Sequence, residues 1–157
     1  MISFGLTQEQ FISRYRKFLE LASIKFISQL REVLKTPVPA SVTSAEVQIF
    51  FEDDGLSTPN AWIYFDGKNK KIDHKDQSIF PGRALDLALQ IEGANDFDER
   101  YFTDESFGGL AIVANTVKSW FAECWWKASG WSYPIKVEVW IHDGFGDGKS
   151  ITLTENR

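Results

Sequence analysis

The chain has a single cysteine, two histidines and one methionine in 157 residues. One cysteine cannot close an internal disulfide, and a reducing compartment is its simplest setting. His74 and His142 lie 68 positions apart, and with Cys124 they make no zinc-ligand set. Basic residues are outnumbered, 17 Lys and Arg against 22 Asp and Glu, for a net charge of −5. A nucleic-acid backbone is therefore not an expected partner, because phosphate binding needs a basic stripe. No apolar run approaches the ~18 residues of a membrane span. The start, MISFGLTQEQ, lacks the basic lead and apolar core of a secretory signal. The expectation is a cytoplasmic globular protein that binds neither nucleic acid nor membrane.

What the chain does have is apolar and aromatic material, 43% and 15% of residues, with thirteen Phe, six Trp and four Tyr. A single domain of this length buries roughly 68–70% of its unfolded surface, enough for a core without a staple. Thr7 and Gln10 form a capping-box pattern that opens a helix over residues 8–35, closed by Thr36-Pro37-Val38-Pro39. On the wheel Phe11, Ile12, Tyr15, Phe18, Leu19, Ala22, Phe26, Leu30 and Val33 share one broad face, and Ile27 and Leu34 widen it. The solvent side is basic, with Arg14, Lys17, Lys25 and Arg31 outnumbering Glu20 and Glu32.

Residues 46–52 and 62–65 read as a long-looped hairpin, and 71–74 as a short return strand. Leu85, Leu87, Leu89 and Ile91 alternate with polar or small residues, which predicts a strand. Residues 95–105 read as an acidic loop or a single helical turn. A second helix is expected from Ser106 or Gly109 to Ala128, with Gly130 as the left-handed stop. Strands over 136–142 and 150–154 complete the chain.

The predicted fold class is α+β: an antiparallel sheet of about four to six strands with two long helices on one face. Residues 47–53 and 137–143 match in character, which makes a duplicated helix–hairpin unit a candidate, with halves 1–66 and 104–157 inside one domain. Alternation sends Val47, Ile49, Phe51, Val137, Val139 and Ile141 towards the helices. Phe50, Trp140 and His142 then lie on the far face, where Trp62 and Tyr64 join them.

Segments that resemble chemistry fail on inspection. Asp143 to Ser150, DGFGDGKS, ends like a phosphate loop, but Asp143 stands where the first glycine is required and a strand follows. Read as a calcium loop, it has Phe145 at the third ligand position and Thr154 at the twelfth. Cys124 sits on the apolar stripe of the second helix, where a thiol is a small hydrophobe. No catalytic residue, cofactor or metal site is assigned.

Two sets of residues remain as binding candidates. The aromatic set is Phe50, Trp62, Trp126, Trp131 and Trp140 with His142; the acidic set is Asp96, Asp98, Glu99, Asp104 and Glu105. Between residues 92 and 105 lie six acids and one base, a patch able to steer a basic protein. The expectation is a non-enzymatic protein-binding domain, of the inhibitor or immunity-protein type by analogy of composition. The alternatives are a small-molecule site or small enzyme around Trp131, Tyr133, His142 and Asp143, and a structural homodimer through Trp126.

Overall fold

A computed structural model describes residues 1–67 and 83–155. The elements are α1 (Gln8–Lys35), β1 (Val42–Phe50), β2 (Asn60–Gly67), β3 (Ala84–Asp86), α2 (Arg100–Thr103), α3 (Gly109–Lys127), β4 (Lys136–Ile141) and β5 (Ile151–Thr152). Helix α1 starts on its capping box: the Gln10 amide N–H donates to Thr7 Oγ1 at 3.1 Å and the Thr7 N–H to Gln10 Oε1 at 2.9 Å. The expected strand at residues 71–74 lies outside the described residues.

The five strands form one sheet in the order β3-β2-β1-β4-β5. It is mixed, not antiparallel as the sequence suggested. β1 and β4 run parallel at its centre, with Ala45, Val47 and Ile49 opposite Val137, Val139 and Ile141. Both are short runs of β-branched residues that follow a long helix, and such a run does not announce its direction. The hairpins β1–β2 and β4–β5 extend to opposite sides of this parallel pair, so the two helix–hairpin units are of opposite hand. The matched stretches 47–53 and 137–143 occupy like places: β1 and β4 are both central, buried on one side and half-buried on the other.

Strand β3 is shorter than the expected run, because pairing stops at Asp86. Asp86 Oδ1 accepts from the Ala88 N–H at 2.8 Å, and Ala88 takes a positive φ of 54°. The alternation nevertheless persists, and Leu87, Leu89 and Ile91 all turn into the core.

Both helices cover one face of the sheet and run in the same direction. At one end the Gln8 amide donates to the Phe107 carbonyl just before α3; at the other Arg31 reaches the Lys127 carbonyl. The core between the layers holds Phe11, Tyr15, Leu19, Phe26 and Leu30 of α1 against Val113, Val117, Phe121 and Trp125 of α3. α3 is buried on most of its circumference, since α1, the sheet and the 142–150 loop enclose it. Its stop differs from expectation: Ser129 takes the left-handed conformation, with φ 69°. Gly130 sits under Trp125, where a Cβ would collide with the indole, so this glycine supplies space and not backbone freedom.

Candidate functional site

On the sheet face turned away from the helices, strand register decides which side chains meet. Gln48 of β1 lies opposite Trp62 of β2 and Trp140 of β4, one row across three strands. In the next row Glu46 lies between Tyr64 and Glu138. The Gln48 amide donates to the Glu46 carboxylate, and Lys136 Nζ stands 3.3 Å from Glu138 Oε1. Glu46, Tyr64, Glu138 and Trp140, with Asp66, Arg83 and Lys136, border a hollow of ≈ 570 Å³. Among the described residues no helix packs over this face. Its side chains are half-buried by one another or exposed, with Tyr64 and Lys136 outermost. Phe50 closes the third row: its ring packs at a tilt of 38° against the His142 imidazole with centroids 4.5 Å apart, and His142 Nε2 faces Asp143 Oδ1 at 3.3 Å.

Of the aromatic set, Phe50, Trp62, Trp140 and His142 therefore share one face of the sheet. Trp126 and Trp131 do not belong to it. They stand at the far end of α3 as a T-shaped pair, centroids 6.3 Å apart, exposed by 42% and 48%. Trp126 Nε1 donates to the Leu153 carbonyl at 3.1 Å, so its ring is fixed while its face stays in solvent. Trp120, Phe121, Cys124 and Trp125 of the same stretch are core. Burial pushes the Cys124 thiol up to about 12.

The acidic set gathers at the end of the sheet where the parallel strands finish. Gly55 of the 51–59 loop packs against the Phe102 ring, which brings Asp53 and Asp54 beside the 95–105 segment. Both long helices begin at this end, so their positive N-termini face the acids. Not all of these carboxylates are available to a partner. Asp98 is chelated by Arg100, with Nη2 to Oδ2 at 2.9 Å, and these hydrogen bonds hold its carboxyl down at about 2. Asp104 accepts from the Ser106 and Phe107 N–H groups at 2.9 and 3.2 Å and shapes the turn into α3. Asp96, Glu99 and Glu105 are left exposed.

The alternative pocket is not formed among the described residues. Trp131 and Tyr133 precede β4, whereas His142 and Asp143 follow it, and six strand residues separate the two pairs by about 20 Å. Tyr133 is buried edge-on against Trp125.

One residue of consequence had escaped the sequence reading. Lys118 points inward from α3 with only 3% of its side chain exposed. Its ammonium donates to Asp147 Oδ1 at 2.5 Å and to the Lys149 carbonyl at 2.6 Å. Asn115 adds a second tie, accepting from the Asp147 N–H at 2.9 Å. The glycine loop that resembled a phosphate site is thus strapped to α3 by its own carboxylate. The signal in the sequence was a lysine on a helix whose neighbours Val117 and Phe121 are core residues; Asp147, which also accepts from the Lys149 N–H at 2.9 Å, looked like an ordinary turn acid. Among the described residues no three His, Cys, Asp or Glu side chains are placed to hold a metal ion. No described helix is long and apolar enough to cross a membrane.

Comparison with protein-family models, curated proteins and solved structures returned no match.

Proposed function

We propose that this chain is a non-enzymatic protein-binding domain that takes a basic partner on the helix-free face of its sheet. The observation that carries this reading is the pair of cross-strand rows, Trp62–Gln48–Trp140 beside Tyr64–Glu46–Glu138. Rings fixed on a sheet present area at little entropic cost, and carboxylates between them suit Lys or Arg side chains, which also stack on aromatic faces. Asp96, Glu99 and Glu105, at the end of the same sheet, supply long-range attraction. A small, acidic inhibitor of a basic enzyme or toxin domain fits this surface.

The test is affinity capture from the source cell, with wild-type chain and a Tyr64→Ala/Trp140→Ala variant as baits. A basic protein should be retained by the wild type, released by about 0.5 M salt, and lost from the variant. Retention of the same proteins by both baits, or retention unaffected by salt, sinks the reading.

The exposed Trp126–Trp131 pair supports a second reading, a homodimer through the far end of α3. Light scattering at tens of micromolar, on the wild type and on Trp126→Ser, decides it; a wild-type monomer ends the idea.

A further inference from the structure

The outward face of α1 carries apolar surface with no partner among the described residues. Leu21 is 82% exposed and Ile24 is 84% exposed, on a helix whose opposite face fills the core. Three positions apart, they lie on the same side. At about 100° per residue Lys17, Leu21, Ile24 and Ser28 fall along one line, with Arg14 and Lys25 on one flank and Arg31 and the exposed Glu20 on the other. Beside Leu21, a hollow of ≈ 220 Å³ opens between α1 and residues 88–92. Phe18, Ala22 and Phe26 line its α1 side, Lys25 Nζ reaches across to Gln90 Oε1 at 3.4 Å, and Glu92 stands as the one acid on its far wall.

Charge separates this face from the rest of the chain. Residues 8–35 hold six bases and three acids, whereas all the other residues together hold eleven bases and nineteen acids. Within that count Glu32 is paired with Lys35 at 3.2 Å and Arg16 with Glu123 of α3 at 3.2 Å, which leaves Arg14, Lys17, Lys25 and Arg31 against Glu9 and Glu20. A basic strip with two aliphatic side chains at its centre thus lies on an acidic protein.

We infer that this face docks a short, acidic, amphipathic helix of a second protein. One apolar side chain of that helix enters the hollow beside Leu21, and the next covers Leu21 and Ile24. Its carboxylates meet Arg14, Lys17 and Lys25. The site is independent of the sheet face and opposite to it in sign. A second copy of α1 is a poor occupant, because a two-fold contact sets Arg14, Lys17, Lys25 and Arg31 against themselves. An anionic membrane is also a poor occupant, since interfacial helices sink a whole apolar face into lipid and that of α1 is committed to the core.

The experiment uses the full chain and a labelled synthetic peptide of about four helical turns, with Leu at i, i+3, i+4 and i+7 and Asp or Glu elsewhere. The expected result is saturable binding, with Kd on the order of 10–100 µM at low salt. Leu21→Ser/Ile24→Ser and Lys17→Glu/Lys25→Glu should each weaken it by at least about tenfold. Thermal melts matching the wild type confirm that these exposed substitutions leave the fold intact. Equal affinity for a scrambled peptide of the same composition overturns the proposal, as does no binding at about 1 mM. It is equally overturned if phosphatidylserine vesicles bind while the peptide does not, or if wild-type self-association disappears in the Leu21→Ser/Ile24→Ser variant.

Discussion

At the scale of single residues, buried polar groups are the informative ones. Lys118 and Asp147 are unequal partners: the ammonium is enclosed, and the carboxylate is half in solvent. Removing the carboxylate strands a buried charge, whereas removing the ammonium releases an acid that water can solvate. Asp147→Ala should therefore cost about 3 kcal/mol, and Lys118→Met only about 1 kcal/mol, by urea unfolding at pH 7. The reverse order would show that packing of the lysine stem, and not its charge, holds the loop. The Tyr15 hydroxyl carries the opposite sign of effect. It is buried with no hydrogen-bond partner among the described residues, and burial pushes its ionisation upward. Tyr15→Phe removes an unsatisfied group with little change of shape and should stabilise the fold by about 1 kcal/mol. A measured loss of stability would reveal a partner such as a bound water.

At the scale of elements, the turns around the acidic end are organised by carboxylates that accept backbone N–H groups. Asp54 receives Leu56 and Ser57, Asp104 receives Ser106 and Phe107, and Asp98 is held by Arg100. Each of these carboxyls is shifted below its ordinary value, to about 2 for Asp98. A depressed carboxylate contributes stability above its unfolded value of about 3.9 and loses it as pH falls through the folded value. The denaturant midpoint should therefore drop between about pH 4 and pH 2, and Asp98→Asn should shrink that drop. A curve already falling at neutral pH would point to a different group. Asp98 and Asp104 were read in the sequence, together with Asp96, Glu99 and Glu105, as one steering patch. Adjacent carboxylates look alike along a chain, and only the local hydrogen bonds separate those that shape turns from those that face solvent.

At the scale of the whole molecule, charge is divided. The exposed acids Asp96, Glu99 and Glu105 lie at the end of the sheet where β1 finishes, and the basic strip runs along α1. Attraction over such distances acts on encounter more than on the bound state. With a basic partner captured as above, Asp96→Asn/Glu99→Gln/Glu105→Gln should slow association by about tenfold at low salt and leave dissociation within about twofold. A change confined to dissociation would place these acids in the contact itself. Whole-molecule geometry also decides which aromatics cooperate. Trp62 and Trp140 are 78 positions apart and share a row because Gln48 stands between them. Trp126 and Trp131, close in sequence to Trp125, face solvent at another end of the molecule.

Much of the architecture was legible in the residues, because helices and strands write their burial locally. The capping box and proline stop bounded α1, and period-2 alternation assigned the inward residues of β1 and β4. The wheel separated Cys124 and Phe121 from Trp126. Strand direction and order were not legible: a short buried run reads the same in either direction, and the parallel pairing of β1 with β4 joins residues about 90 positions apart. The candidate surface was legible in part, since alternation put Phe50 and Trp140 on the far face. Glu46 and Glu138 became neighbours only through register, and Lys118 found Asp147 only through the fold of the glycine loop. Local periodicity settles which way a side chain turns; which other side chain it meets is decided by contacts between strands and loops far apart in the chain.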